Sequence, residues 1–89
     1  MAKELKFEKN ETGKWEASIE SEGVPMAIEI NREKAGSLLI YGNLEGLEKV
    51  VLENYGPSAE KHHLVEVDVP AGVKITIESY TEVRGASAV

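Results

Sequence analysis

Along most of this chain apolar and polar residues alternate one for one. That period of two narrows the folding options more than any other property, because only an extended strand sends successive side chains to opposite faces. In Glu4-Leu5-Lys6-Phe7-Glu8-Lys9, Leu5 and Phe7 fall on one side and the charges on the other. The run from Lys14 to Glu20 repeats this with Trp15, Ala17 and Ile19. From Met26 to Arg32, Met26, Ile28 and Ile30 oppose Ala27, Glu29 and Asn31. Between the first two runs, Asn10-Glu11-Thr12-Gly13 has the chemistry of a type I turn closed by a glycine at positive φ. The hairpin this predicts pairs Phe7 with Ala17 and Leu5 with Ile19, so that both apolar sets share a face. A second turn is expected over residues 22–25, Glu-Gly-Val-Pro.

Two stretches depart from simple alternation. Leu38, Leu39, Ile40 and Tyr41 are apolar without interruption, which predicts a strand covered on both faces, either by a central position in the fold or by another subunit. Residues 43–55 fit two structures. As a helix, Asn43 caps it, Leu44, Leu47 and Val51 share a face, and Gly56-Pro57 stop it. As a strand from Lys49 to Asn54, Val50, Val51 and Leu52 are strong β formers, and Gly46 weakens the helix. The strand reading is preferred because the rest of the chain is so uniformly β.

The closing stretch predicts a further hairpin, turning at Pro70-Ala71-Gly72 and pairing Val69 with Val73, Val67 with Ile75 and Val65 with Ile77. Its second face would carry Asp68 opposite Lys74, Glu66 opposite Thr76 and Leu64 opposite Glu78, a solvated surface with one weak ion pair. The tail after Val83 is small and polar, and is expected to fray or to be ordered only by a neighbour. About seven strands with turn signals between them predict one all-β domain over residues 1–89. The expected architecture is an antiparallel β-sandwich of jelly-roll or immunoglobulin-like kind, with a small β-barrel as the alternative and a short helix within 43–55 as a variant.

Charge narrows the partners. Sixteen acidic and ten basic residues among 89 give a formal charge of −6, and the lysines near the start, Lys3, Lys6, Lys9 and Lys14, are interleaved with glutamates. Such a surface repels phosphate, so neither nucleic acid nor an anionic membrane is expected as a partner. There is no cysteine, hence neither disulfides nor a thiolate metal site, and a chain of this size buries only roughly 60–65% of its unfolded surface. Packing or a partner subunit must then supply the stability. No signal-like or membrane-spanning apolar run stands out, so the expected location is cytoplasmic as synthesised. Asn10-Glu11-Thr12 matches a glycosylation acceptor but is read as turn chemistry.

Catalytic signals are weak. His62 and His63 are adjacent, so on an extended chain they point to opposite faces and cannot share a metal; they read as polar residues leading into a strand. Glu66, Asp68 and Glu78 would share a face of the last hairpin, but with Lys74 and Thr76 beside them and nothing to desolvate an acid. There is no Gly-x-Ser-x-Gly elbow, and the Gly42-Asn43-Leu44-Glu45-Gly46 run lacks the basic residue of a phosphate loop. No catalytic residue, metal or cofactor is therefore assigned, and the chain is expected not to be an enzyme. Trp15 is read as core because it shares a face with Ala17 and Ile19.

What remains is surplus apolar surface at Leu39, Tyr41 and Val51, which is read as a protein interface in a homo-oligomer or larger assembly. The expected function is a non-enzymatic structural or assembly subunit. Fold-level analogy suggests an accessory component of a bacteriophage particle, such as a capsid decoration or fibre protein, with the virion as its destination. The alternative is a carbohydrate- or peptide-binding module using Tyr55 and Tyr80 with Glu66 and Glu78, or an open strand edge that accepts a peptide.

Overall fold

The computed structural model describes residues 3–32, 34, 36–43, 49–58 and 62–88. In chain order the strands are β1 (Lys3–Glu4), β2 (Glu8–Lys9), β3 (Trp15–Glu20), β4 (Met26–Arg32), β5 (Gly36–Asn43), β6 (Lys49–Ser58), β7 (His62–Val67), β8 (Lys74–Ser79) and β9 (Val83–Ala88). They form two antiparallel sheets, one ordered β1-β9-β4-β7 and the other β2-β3-β8-β5-β6. The sheets pack face to face over a core that includes Ile28, Ile30 and Val65 from the first and Leu38, Ile40 and Ile77 from the second. Both sheets keep open edges, so the molecule is a sandwich and the barrel alternative is set aside.

The pairing follows one rule. Lys3 lies opposite Ala88, Trp15 opposite Ser79, Met26 opposite Val67 and Gly36 opposite Ser58. Each of these pairs is centred on residues 45–47, so the whole chain is one long antiparallel hairpin. Its outgoing arm is β1, β3, β4 and β5; its returning arm is β6, β7, β8 and β9. The arms roll up so that successive segments fall alternately into the two sheets, which adds the contacts of β9 with β4 and of β8 with β5. This nested order is the jelly roll, and the immunoglobulin-like alternative falls away. The turning point, residues 44–48, lies outside the described residues. The stretch after it is a strand from Lys49, as preferred, and runs on to Ser58.

Three expectations are corrected by this topology. The local hairpin pairing Val65 with Ile77 does not form: β7 pairs with β4, and β8 lies between β3 and β5 in the other sheet. Ser21, buried in the β3–β4 connection, holds the crossover at Pro70-Ala71-Gly72 apart. Its amide donates to Val73 O at 2.9 Å, its carbonyl accepts from Gly72 N at 2.9 Å, and its hydroxyl donates to Val69 O at 3.1 Å. The chain therefore leaves one sheet at Val67 and enters the other at Lys74, and Asp68 does not face Lys74 across a ladder. Thr76, expected on a solvated face, is buried because its strand is central in its sheet.

Second, the first strand splits. Glu8 and Lys9 pair with Glu16 and Trp15, the register that continues to Phe7 and Ala17, and Gly13 takes the expected positive φ of 81°. Leu5, however, donates its amide to Ala86 O at 2.8 Å, because the chain has already crossed to the other sheet. Third, the tail does not fray: it is β9, hydrogen-bonded to both β1 and β4, with Ala88 buried. These two changes account for nine strands in place of about seven. Where Leu38 to Tyr41 lacked alternation, β5 does occupy a central position, between β8 and β6.

Candidate functional site

Two places in this sandwich carry unusual chemistry. The first is a buried cation. Arg32 follows Ile28 and Ile30 at a spacing of two, so β4 turns its side chain inward, where it is 1% exposed. Its Nη1 donates to Gly36 O at 2.9 Å and to Thr81 Oγ1 at 3.4 Å, while Nη2 lies 2.8 Å from His63 Nε2. His63 is only 5% exposed and shares its strand face with Val65 and Val67. Tyr55, opposite Leu38 on β6, sets its ring 4.9 Å from the imidazole, tilted by 48°.

The cluster joins both layers: β4 and β7 belong to one sheet, β5 and β6 to the other. Thr81 extends it, donating from Oγ1 to Lys34 O at 2.8 Å and accepting at its carbonyl from Ser79 Oγ at 2.6 Å. Burial lowers the Arg32 guanidinium below its ordinary value, yet a guanidinium stays charged in proteins. The bonds to carbonyl and hydroxyl oxygens are what make that charge tolerable inside. His63 therefore does not fit the reading of a polar lead-in to a strand. His62, exposed on the opposite face of β7, does. The two histidines point apart, as their adjacency requires. Among the described residues no group of three or more His, Cys, Asp or Glu converges.

The second place is the outer face of the five-stranded sheet. Tyr41 and Val51 are cross-strand partners, and Leu39 lies two residues along β5 from Tyr41, so the three proposed interface residues do share one surface. They are not equally available. Tyr41 is buried and Leu39 half-buried, whereas Val51 is 59% exposed; Val50, its neighbour on β6, points to the other side of the sheet and is 55% exposed. A register shift between Ile40 and Tyr41 leaves Leu52 as the extra residue of β6, packed against the core. β6 ends its sheet, so one side of its backbone has no ladder among the described residues.

The same face carries a small charged group. Lys14 Nζ sits 4.5 Å from the centre of the Tyr80 ring and 3.4 Å from Glu78 Oε1. Contact with Tyr80 chiefly, and the Glu78 charge to a smaller degree, outweigh burial and raise the Lys14 ammonium above its ordinary value. Tyr41 reaches Glu78 Oε2 with its hydroxyl at 3.5 Å.

The four residues of the alternative binding site are not brought together. Glu66 is exposed on the outer face of the four-stranded sheet, and Glu78 is half-buried on that of the five-stranded sheet, because β7 and β8 lie in different layers. Tyr55, expected to be exposed beside its Gly-Pro turn, faces the core against His63. Of the set, Tyr80 and Glu78 alone are near neighbours, both touching Lys14. A cleft of about 90 Å³ lies elsewhere, between Ile19, Val24, Met26 and Ala88, with the exposed Lys3–Glu22 ion pair at its rim. It is far smaller than the roughly 300–1,000 Å³ of most ligand pockets.

Among the described residues no helix is long and apolar enough to cross a membrane. Comparison with protein-family models, with curated proteins and with solved structures finds no match.

Proposed function

We propose that this chain is a non-enzymatic structural subunit that joins an assembly through the outer face of its five-stranded sheet and the β6 edge. The observation that carries this reading is the exposure of Val51 on an edge strand, on the same face as the apolar Leu39 and Tyr41. An open edge presents backbone donors and acceptors, and the valine on it supplies apolar area to bury. A formal charge of −6 favours a protein partner over phosphate-bearing ones. Pairing with further copies would also relieve the small core of a chain this short. By fold-level analogy the setting we propose is an accessory position in a particle such as a bacteriophage capsid.

Sedimentation equilibrium of three proteins tests the reading: wild type, Val51→Glu, and Leu64→Glu on the other sheet as a control. The wild-type chain is expected to sediment as a multiple of its own mass, Val51→Glu as a monomer, and Leu64→Glu like the wild type. A wild-type monomer at every concentration, or an assembly untouched by Val51→Glu, contradicts it. The open β6 edge equally supports a second reading, in which an extended peptide adds as a strand. In that case the wild type is a monomer until peptide is supplied.

A further inference from the structure

We propose that β7 pairs edge to edge with the β7 of a second copy, about a two-fold axis that sets Leu64 against its own symmetry mate. β7 ends the four-stranded sheet, and among the described residues no strand lies along its outer edge. The edge strands β1 and β2 are two residues long. β7 has six, contains neither lysine nor proline, and pairs with β4 without a register shift. Shortness, lysine, proline and bulges are the usual guards of a strand edge, and β7 has none of them.

Its side chains point to the occupant. On the outer face His62, Leu64 and Glu66 follow one another at a spacing of two, all exposed, and Leu64 at 73% is the most exposed of the large apolar residues described. Their neighbours on β4 are Asn31, Glu29 and Ala27, so Leu64 lies opposite a carboxylate within its own chain. The row is complementary to itself. A two-fold axis normal to the sheet at Leu64 keeps outward residues outward and sets His62 of each copy opposite Glu66 of the other, with the two leucines between them. An imidazole opposite a carboxylate is favourable in both protonation states, as a hydrogen-bond donor when neutral and as a cation when charged. The axis can move only by whole residues without turning outward side chains inward. On Val65 it would set Leu64 opposite Glu66; on His63, opposite His62. Only the axis at Leu64 matches the leucine with an apolar residue.

One sheet then runs β1-β9-β4-β7 and on, in the second copy, through β7-β4-β9-β1. This surface lies on the other sheet from Val51 and is separate from the assembly face proposed above. Residues 62–66 on each side, against roughly 20–30 residues a side in a standard interface, make the contact weak, with a Kd on the order of 1 mM. At the micromolar concentrations of sedimentation it is not populated, and Leu64→Glu there behaves as the wild type.

The chain has no cysteine, so single introduced cysteines report the register. Leu64→Cys, His62→Cys and Glu66→Cys are each combined with Val51→Glu, which keeps the outcome independent of the other face, and are oxidised at about 1 mM protein. Linked dimers are counted on gels without reductant. Directly opposed residues place their β-carbons near disulfide distance, so Leu64→Cys is expected to link about tenfold faster than His62→Cys or Glu66→Cys alone. An equimolar mixture of the latter two is expected to link faster than either by itself. Equal rates for the three single cysteines, or a mixture no faster than its components, overturn the pairing.

Discussion

Arg32→Ala is expected to cost about 3–5 kcal/mol of unfolding free energy at pH 7.5, a large share of the roughly 5–10 kcal/mol available to a domain this small. The loss has two sources. The carbonyl of Gly36 and the hydroxyl of Thr81 lose their charged donor, and His63 Nε2 loses the guanidinium it contacts. The pair is not expected to be worth that much in itself, because moving a guanidinium out of water offsets most of what its bonds return. Arg32→Met combined with His63→Leu should therefore recover most of the loss, with a coupling between the two sites on the order of 1–3 kcal/mol. Urea unfolding of both single variants and the double variant measures this. Additive losses would show that the two side chains act independently, against the geometry described above.

Ile77→Ala should be nearly as damaging, about 3–4 kcal/mol. Ile77 is fully buried at the middle of the five-stranded sheet, with Ala17 opposite it on β3 and Ile40 opposite it on β5. Neither neighbouring strand can collapse into the gap without breaking a ladder. The contrast is Leu64→Ala: Leu64 is 73% exposed on the outer face of β7, and its loss is expected to change stability by no more than about 0.5 kcal/mol. In the local hairpin predicted from the sequence, Leu64 and Ile77 were likewise on opposite faces. The two variants therefore test which face is buried and leave open which strands are neighbours.

That distinction marks how far the sequence could be read. Alternation tells which side of a strand a residue occupies, and Ile28, Ile30, Val65, Val67, Ile75 and Ile77 are all buried as their spacing requires. It carries no information about the adjacent strand, so the short loop at Pro70-Ala71-Gly72 suggested a hairpin that the fold replaces with a crossover. The residue that enforces the crossover, Ser21, lies some fifty positions away from that loop and has no local signature. The tail gives no visible apolar rhythm because Ala86 and Ala88 are too small, although β9 is an interior strand of its sheet.

The buried cluster was legible in part. Arg32 has the same parity as Ile28 and Ile30, and His63 the same parity as Val65 and Val67; followed strictly, the period of two points both inward. Charge at a strand end argues for solvent, and here the parity prevailed because Gly36, Thr81 and His63 supply partners. Tyr55 has the opposite lesson. Beside Gly56-Pro57 it reads as surface, yet its place opposite Leu38 puts it against the core. Leu39, Tyr41 and Val51 were traceable to one surface because residues 38–41 are apolar in both parities. That Tyr41 would be covered within the chain while Val51 would not depends on the strand order, which the sequence does not state.

The nested hairpin is the claim on which the core, the crossover and the Arg32–His63 contact all rest, and backbone NOEs test it most directly. Contacts between amide or α protons of Ile28 and Val65, and of Ile30 and His63, are expected from the pairing of β4 with β7. Backbone contacts joining Val65 to Ile77 across a tight local hairpin would contradict it.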